Sequence, residues 1–320
     1  MPTRPVRPRP IRLACLGDLA LDVVVALREP LARGSDTPGS VSLRPGGSAA
    51  TTARTVARLG GRAVFVGAAG RDDRARLLVA ALRRDGVEVR AVRTAARTAA
   101  IAVLVEPDGE RSFVADRGAA DQLRPDDLRP AWFRGLDGLH LPAYSLLNEP
   151  LGAAALRAVY LARDAGARIS VDLASARPLL AHGRREAWRV LEGAAPDLLF
   201  ANRAEAVSLA ARSDAARALL QLAPVVVLKE GPAGCRVLAR QPGTGSADYD
   251  VLELTVATTP LETPDTTGAG DAFDGGFLHA WLSGAWDASA PQAALLRRAA
   301  VAGNRAAARL LSSPRGELDV

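Results

Sequence analysis

Four glycines and three aspartates occupy the fourteen residues 265–278, DTTGAGDAFDGGFL. Phe273, Phe277 and Trp281 recur every four residues, a spacing that predicts a helix with one apolar face starting near Gly270. The first turn of a helix leaves N–H groups without internal partners, and its aligned peptide dipoles add roughly half a positive charge there. Gly268, Ala269 and Gly270 are small enough to let an anion reach those donors. Asp271 beside them is a candidate general base, so the combination suits phosphoryl transfer to an alcohol. A plainer reading makes the same residues a tight turn and an acid that caps the helix.

Two common nucleotide motifs are absent. A Walker A loop needs a Gly-Lys pair, whereas Lys229, the chain's one lysine, follows Leu228. A dinucleotide fingerprint wants a third small residue where GAGDAF places Phe273. Any nucleotide must be held in another way.

The run DTTGAGDAFDGGF resembles the C-terminal signature of the ribokinase-like carbohydrate kinases, the PfkB family. PGGSAATTARTVARLG (45–60) is similar to the family's N-terminal glycine signature. NRAE (202–205) resembles its Asn-x-x-Glu motif, and KEGPAG (229–234) its strand and glycine turn near the nucleotide. The resemblance runs from about residue 11 to the C-terminus.

That resemblance implies roles position by position. Asp271 would be the catalytic base, with the amides of Gly268, Ala269 and Gly270 as an anion hole. Asn202 and Glu205 would join a magnesium and phosphate network, Glu205 through water, which suits an ion that dehydrates reluctantly. Lys229, Gly231 and Gly234 would lie near the nucleotide, although either glycine also suits a simple turn. Asp22 would bind acceptor hydroxyls, with Gly46 and Gly47 approaching the same ligand and Thr51 beside them. The implied cofactors are ATP and Mg2+, with a monovalent cation as a further candidate.

Three positions depart from the family pattern. Thr51 stands where Gly-Gly-x-x-x-Asn expects asparagine, so an amide has become a shorter hydroxyl on the acceptor side. Asp274 replaces a frequent asparagine, a change a helix start tolerates because negative charge is favoured there. In ADRGAADQL (115–123), Ala120 takes another asparagine position, while Arg117 would favour a sugar-acid acceptor if it pointed into the pocket.

Elements must bring these residues together. IRLACLG (11–17), RAVFVGAAG (62–70), RISVDL (168–173), DLLFAN (197–202) and APVVVLKEG (223–231) read as short buried strands. Helical periodicity separates several of them, at 48–59, 72–85, 150–165 and 203–221, and a last helix is expected at about 290–311. Alternation of this kind predicts an α/β fold, a doubly wound, mostly parallel sheet flanked by helices. Residues 22–28, 40–44 and a hairpin at 98–116 turning near Asp108 and Gly109 break the rhythm and predict a small β lid, at about 22–45 and 97–118. Residues 1–10 read as a flexible tail before a single domain, 11–320.

Composition excludes other classes. At 320 residues, 48% hydrophobic and 24% charged, the chain is an ordinary globular protein with enough apolar surface for a core. The net charge of +6 comes from arginines scattered among acids, which is a solvated surface rather than a nucleic-acid face. Asp18 and Asp22 interrupt the first apolar stretch, so neither a signal sequence nor a membrane span is expected. Cys15 and Cys235 read as reduced packing residues, and His140, His182 and His279 have no metal-ligand spacing.

The expected activity is ATP-dependent phosphorylation of a ribose- or fructose-type sugar by a cytoplasmic enzyme. The alternatives are a nucleoside or 2-keto-sugar-acid kinase, and a catalytically silent ligand-binding regulator on the same scaffold. An exposed lid edge would allow a homodimer.

Overall fold

The computed structural model describes residues 9–212, 214–242, 249–261, 263, 265–284, 293–313 and 316–318. Residues 1–8 of the expected tail lie outside them, as do 290–292 of the last expected helix.

Thirteen strands form two sheets among the described residues. The main sheet holds β1 (Arg12–Leu16), β4 (Arg62–Ala69), β5 (Glu88–Arg93), β8 (Gly138–Pro142), β9 (Arg168–Asp172), β10 (Leu198–Asn202), β11 (Val225–Lys229), β12 (Cys235–Pro242) and β13 (Tyr249–Val256). Their spatial order is β13-β12-β11-β10-β9-β8-β1-β4-β5. All neighbours are parallel except β11 with β12 and β12 with β13. The second sheet, the lid, has β2 (Ala20–Leu27), β3 (Gly39–Gly46), β6 (Ala99–Val105) and β7 (Arg111–Asp116) in the order β3-β2-β6-β7. The turn from β6 to β7 carries Gly109 at φ 87°, a left-handed conformation suited to glycine.

Side-chain alternation along each strand feeds two cores. Leu13, Cys15, Phe65, Leu198, Phe200, Val225 and Val227 pack on one face, under α1 (Ser48–Arg58), α2 (Asp73–Arg84), α8 (Ala269–Leu282) and α9 (Ala293–Ser312). Ala14, Leu16, Val64, Val66, Leu199 and Val226 pack on the other, with α3 (Leu151–Asp164), α4 (Ala176–Leu179), α5 (Arg184–Ala194), α6 (Arg203–Ala210) and α7 (Ala215–Ala218). Burial on both faces is why these strands read as continuous apolar runs. The expected helix at 203–221 is broken into α6 and α7, with Ala211 in the left-handed conformation ending the first piece.

The cysteines are free and buried. Among the described residues no helix is long and apolar enough to cross a membrane.

Candidate active site

Asp172, Asn202 and Lys229 are the last residues of β9, β10 and β11, three adjacent parallel strands. Ligands in open parallel sheets collect at this carboxyl edge. α8 begins there too, because the apolar stripe of Phe273, Phe277 and Trp281 seats it on the sheet with Phe277 edge-on to Phe200 at 5.4 Å. The helix therefore delivers Asp271 to the strand ends.

Asp271 is partly buried and lines a cavity of about 610 Å³. Its Oδ1 accepts a hydrogen bond from Ser48 Oγ at 2.6 Å. Burial pushes its pKa up to about 7, a rise the Ser48 bond and Lys229 oppose and the negative charges of Asp172 and Asp18 reinforce. A carboxyl titrating there can accept a proton near neutrality.

Gly268 is left-handed at φ 75° and caps α8. Its conformation closes the turn in which the Ala269 amide donates to Thr266 O at 3.2 Å. That donor is already engaged, so of the three expected anion-hole amides only those of Gly268 and Gly270 stand apart from the turn bond. A methyl added at Gly270 would lie 3.3 Å from Lys229 Nζ, which places the ammonium directly behind this residue.

Lys229 is largely enclosed and clamped by acids rather than extended toward open solvent. Its Nζ lies 2.9 Å from Asp172 Oδ2 and 3.2 Å from Asp274 Oδ2, and it sits over the Phe200 ring at 5.8 Å. Burial alone would lower its pKa; Asp172 and Asp274 reverse that and raise it, so the charge is retained. Asp274 is wholly buried, and burial together with Asp172 holds its carboxyl well above the usual range. It is thus a partner of Lys229 in the core, beyond the tolerated acid at a helix start expected from the sequence.

The acceptor side is built by the lid and α1. Asp22 is carried by the lid strand β2, and a methyl at Gly46 would fall 2.2 Å from its Oδ1. Gly47 has φ 99° and its missing side chain makes room for Asp18 O. Asp22, Gly47, Ser48, Thr51, Gly268 and Asp271 all line the cavity. Burial raises the Asp22 pKa to about 7, helped by the negative charges of Asp18 and Asp271 and opposed by Arg44. Asp22 Oδ1 is buried with no hydrogen-bond partner among the described residues.

Asn202 and Glu205 form a reciprocal cap on α6. Asn202 Oδ1 accepts the Glu205 amide at 2.9 Å, while the Glu205 carboxylate accepts the Asn202 amide at 2.8 Å and Nδ2 at 2.7 Å. With both oxygens so engaged, Glu205 suits water-mediated contact with a cation better than direct chelation. Burial lifts its pKa to about 7, with Asp172 adding to the rise.

Gly231 starts a turn at φ 57° with open space around it. Gly234 instead abuts Val256 O, where a methyl would sit at 2.2 Å, so packing against β13 requires that glycine. Arg117 does not line the cavity: it stacks on Tyr144 at 4.6 Å and bonds Asp121 at 2.7 Å. Ala120 is buried beside Ala20 and Ala99, where asparagine would lack space and solvent. His140 is buried against Ser170 Oγ at 3.0 Å, with its pKa lowered to about 4 by burial.

Ser48, Asp172, Asp18 and Tyr144 escaped the sequence reading. Tyr144 donates to Asp18 Oδ1 at 3.0 Å, forming the cavity floor. The signal for Asp172 was present, a polar residue closing an apolar strand just as Asn202 and Lys229 do.

Residues 11–315 match the family model described as pfkB family carbohydrate kinase. The chain belongs to that family. A probable fructokinase-4 from Arabidopsis thaliana is 33% identical to this PfkB chain over 258 residues, covering 76% of this chain and 74% of the relative. A fructokinase from Xylella fastidiosa, solved with bound ATP, is 26% identical with a TM-score of 0.75, over 94% of this chain and 91% of that one. An adenosine kinase from Sinorhizobium meliloti shares the fold at a TM-score of 0.78 and 24% identity, over 95% and 94% of the two chains. As a PfkB carbohydrate kinase, the protein phosphorylates a sugar, and its two-sheet architecture is that of these structures.

Proposed function

We propose that this kinase transfers the γ-phosphoryl group of ATP to a hydroxyl of a neutral ribose- or fructose-type sugar. The observation that carries this reading is that Asp271, at the mouth of α8, and Asp22, on the lid strand β2, line one cavity. Two carboxylates suit hydroxyl donors and would repel a sugar acid. Arg117, the residue that would have favoured a keto-sugar acid, is instead engaged by Asp121 and Tyr144 and does not line the cavity. Fructokinases among the relatives point the same way.

In this mechanism Asp22 holds acceptor hydroxyls and Asp271 takes the proton of the attacking one. The acceptor oxygen bonds to the γ-phosphorus as the bond from that phosphorus to the β–γ bridging oxygen breaks, and ADP leaves. The amides of Gly268 and Gly270, backed by Lys229, stabilise the transferring group's oxygens. Magnesium, when bound, would neutralise charge on the triphosphate, and Glu205 would hold it through water.

A phosphotransfer screen with mass detection of product tests the proposal. Fructose or ribose is expected to give a monophosphate with one ADP per product. ATP left unconsumed across a sugar panel would refute it.

A further inference from the structure

The lid touches the site at a second place, away from the acceptor. Arg44 on β3 pairs with Asp265 through its Nη1 and the Asp265 Oδ2. The other carboxylate oxygen of Asp265 accepts the Thr267 amide at 2.9 Å. One side chain thereby joins the lid to the turn 265–268, which ends at left-handed Gly268 and opens α8. Arg111 on β7 reaches the same turn, donating to Thr267 Oγ1 at 3.3 Å. Two lid strands therefore contact two residues, Asp265 and Thr267, of the turn ahead of the anion-binding amides.

Arg44 is also the cross-strand partner of Asp22. Both line the cavity, and Arg44 is one of the groups that hold the Asp22 carboxyl down. A single guanidinium thus faces the acceptor carboxylate on one side and the phosphoryl-side turn on the other. Its Nε is buried without a hydrogen-bond partner among the described residues, and its Nη1 is the atom that pairs with Asp265.

We propose that Arg44 is a positioning residue that ties the lid to the turn before α8, so that the phosphoryl-binding amides are set in place only while the lid is seated. The proposal rests on the kinase mechanism above, and it assigns Arg44 no contact with the reacting atoms. Charge pairing across the junction would couple the seating of the lid over the acceptor to the order of the phosphate side. Water would then compete poorly for ATP.

The variants are Arg44→Gln, Arg44→Lys, Asp265→Asn and the double variant Arg44→Gln/Asp265→Asn. Hydrogen–deuterium exchange on the unliganded enzyme reads the link without using activity. Arg44→Gln is expected to raise exchange in residues 265–270 as well as in 39–46, and Asp265→Asn to do the same. Steady-state kinetics should show kcat down by at least about tenfold, with the ATP Kd from calorimetry within about twofold of wild type. Arg44→Lys should recover most of the loss, and the double variant should be no worse than Arg44→Gln alone, because the second substitution acts on a pair that the first has already broken. Unchanged exchange at 265–270 in Arg44→Gln, or additive losses in the double variant, would overturn the proposal. A wild-type enzyme that phosphorylates no sugar would instead remove the function on which it rests, a result the exchange data do not depend on.

Discussion

Ser48 Oγ donates to Asp271 Oδ1 across 2.6 Å, joining the first residue of α1 to the first turn of α8 over 223 positions of sequence. The bond favours the ionised carboxylate, while burial and the neighbouring acids favour the neutral one. The residue proposed as base is thus poised by two opposed influences that come from different parts of the chain.

Removing Ser48 should therefore move the pH profile in a known direction. Asp271 accepts a proton only when ionised, so with its pKa near 7 kcat/KM should fall on the acid side of about pH 7. Ser48→Ala deletes an influence that lowers that pKa, so the acid limb should shift to higher pH and the loss should be greater at pH 7 than at pH 8.5. A limb that stays in place, or moves to lower pH, would contradict the assignment.

Asp271→Asn separates chemistry from folding. Loss of a general base is expected to cut turnover by about 10²- to 10⁴-fold, with sugar and ATP binding nearly unchanged. The stability effect has the opposite sign. A carboxyl raised from 3.8 to about 7 favours the fold while it is protonated, and that contribution is lost as pH rises through 7. Asparagine carries no such charge, so the unliganded variant should melt no lower than wild type at pH 8, and any advantage should shrink toward pH 5. Melting curves at the two pH values check this.

Much of this arrangement was legible in the sequence because its signals are local. Strand ends such as Asn202 and Lys229 follow apolar runs, and the α8 stripe at Phe273, Phe277 and Trp281 fixes which side of Asp271 faces the cavity. The pairings were not legible. Nothing in the spacing of Lys229 and Asp274 says that the two meet in the core at 3.2 Å, since β11 and α8 are brought together only by sheet order and helix packing. The same holds for Arg44 and Asp265. The strands β5 and β13 escaped notice for another reason: they carry charged residues among their apolar ones, as edge strands do.

Gly46 tests the acceptor side. Its backbone lies so close to Asp22 that an added methyl would overlap the carboxylate, at 2.2–2.3 Å from both oxygens and the carbon between them. Gly46→Ala must displace Asp22, the lid strand, or both. The expected result is a sugar KM raised by at least about tenfold with the ATP Kd held within about twofold, because the disturbance lies on one substrate's side. Equal weakening of both substrates would show that the glycine serves the fold generally and not the acceptor carboxylate.

Lys229 tests the buried charge cluster. Its ammonium bridges Asp172 and Asp274, and both acids are almost wholly enclosed. Lys229→Met fits the apolar strand, yet it leaves two carboxyls facing each other without their cation; breaking a buried pair from one side typically costs about 3–5 kcal/mol. The remaining relief is for Asp274 to stay protonated, which it already favours because of burial and Asp172. A carboxyl raised in this way supports the fold at low pH and loses that support as pH rises, so the deficit of Lys229→Met in urea unfolding should be larger at pH 8 than at pH 5. Adding Asp274→Asn removes one of the stranded acids while keeping its size and a donor for Asp172, and should recover part of the loss. If instead the second substitution deepens the deficit, or the deficit is the same at both pH values, the lysine is holding β11 by packing rather than by charge, and its proposed electrostatic support behind Gly270 fails with it.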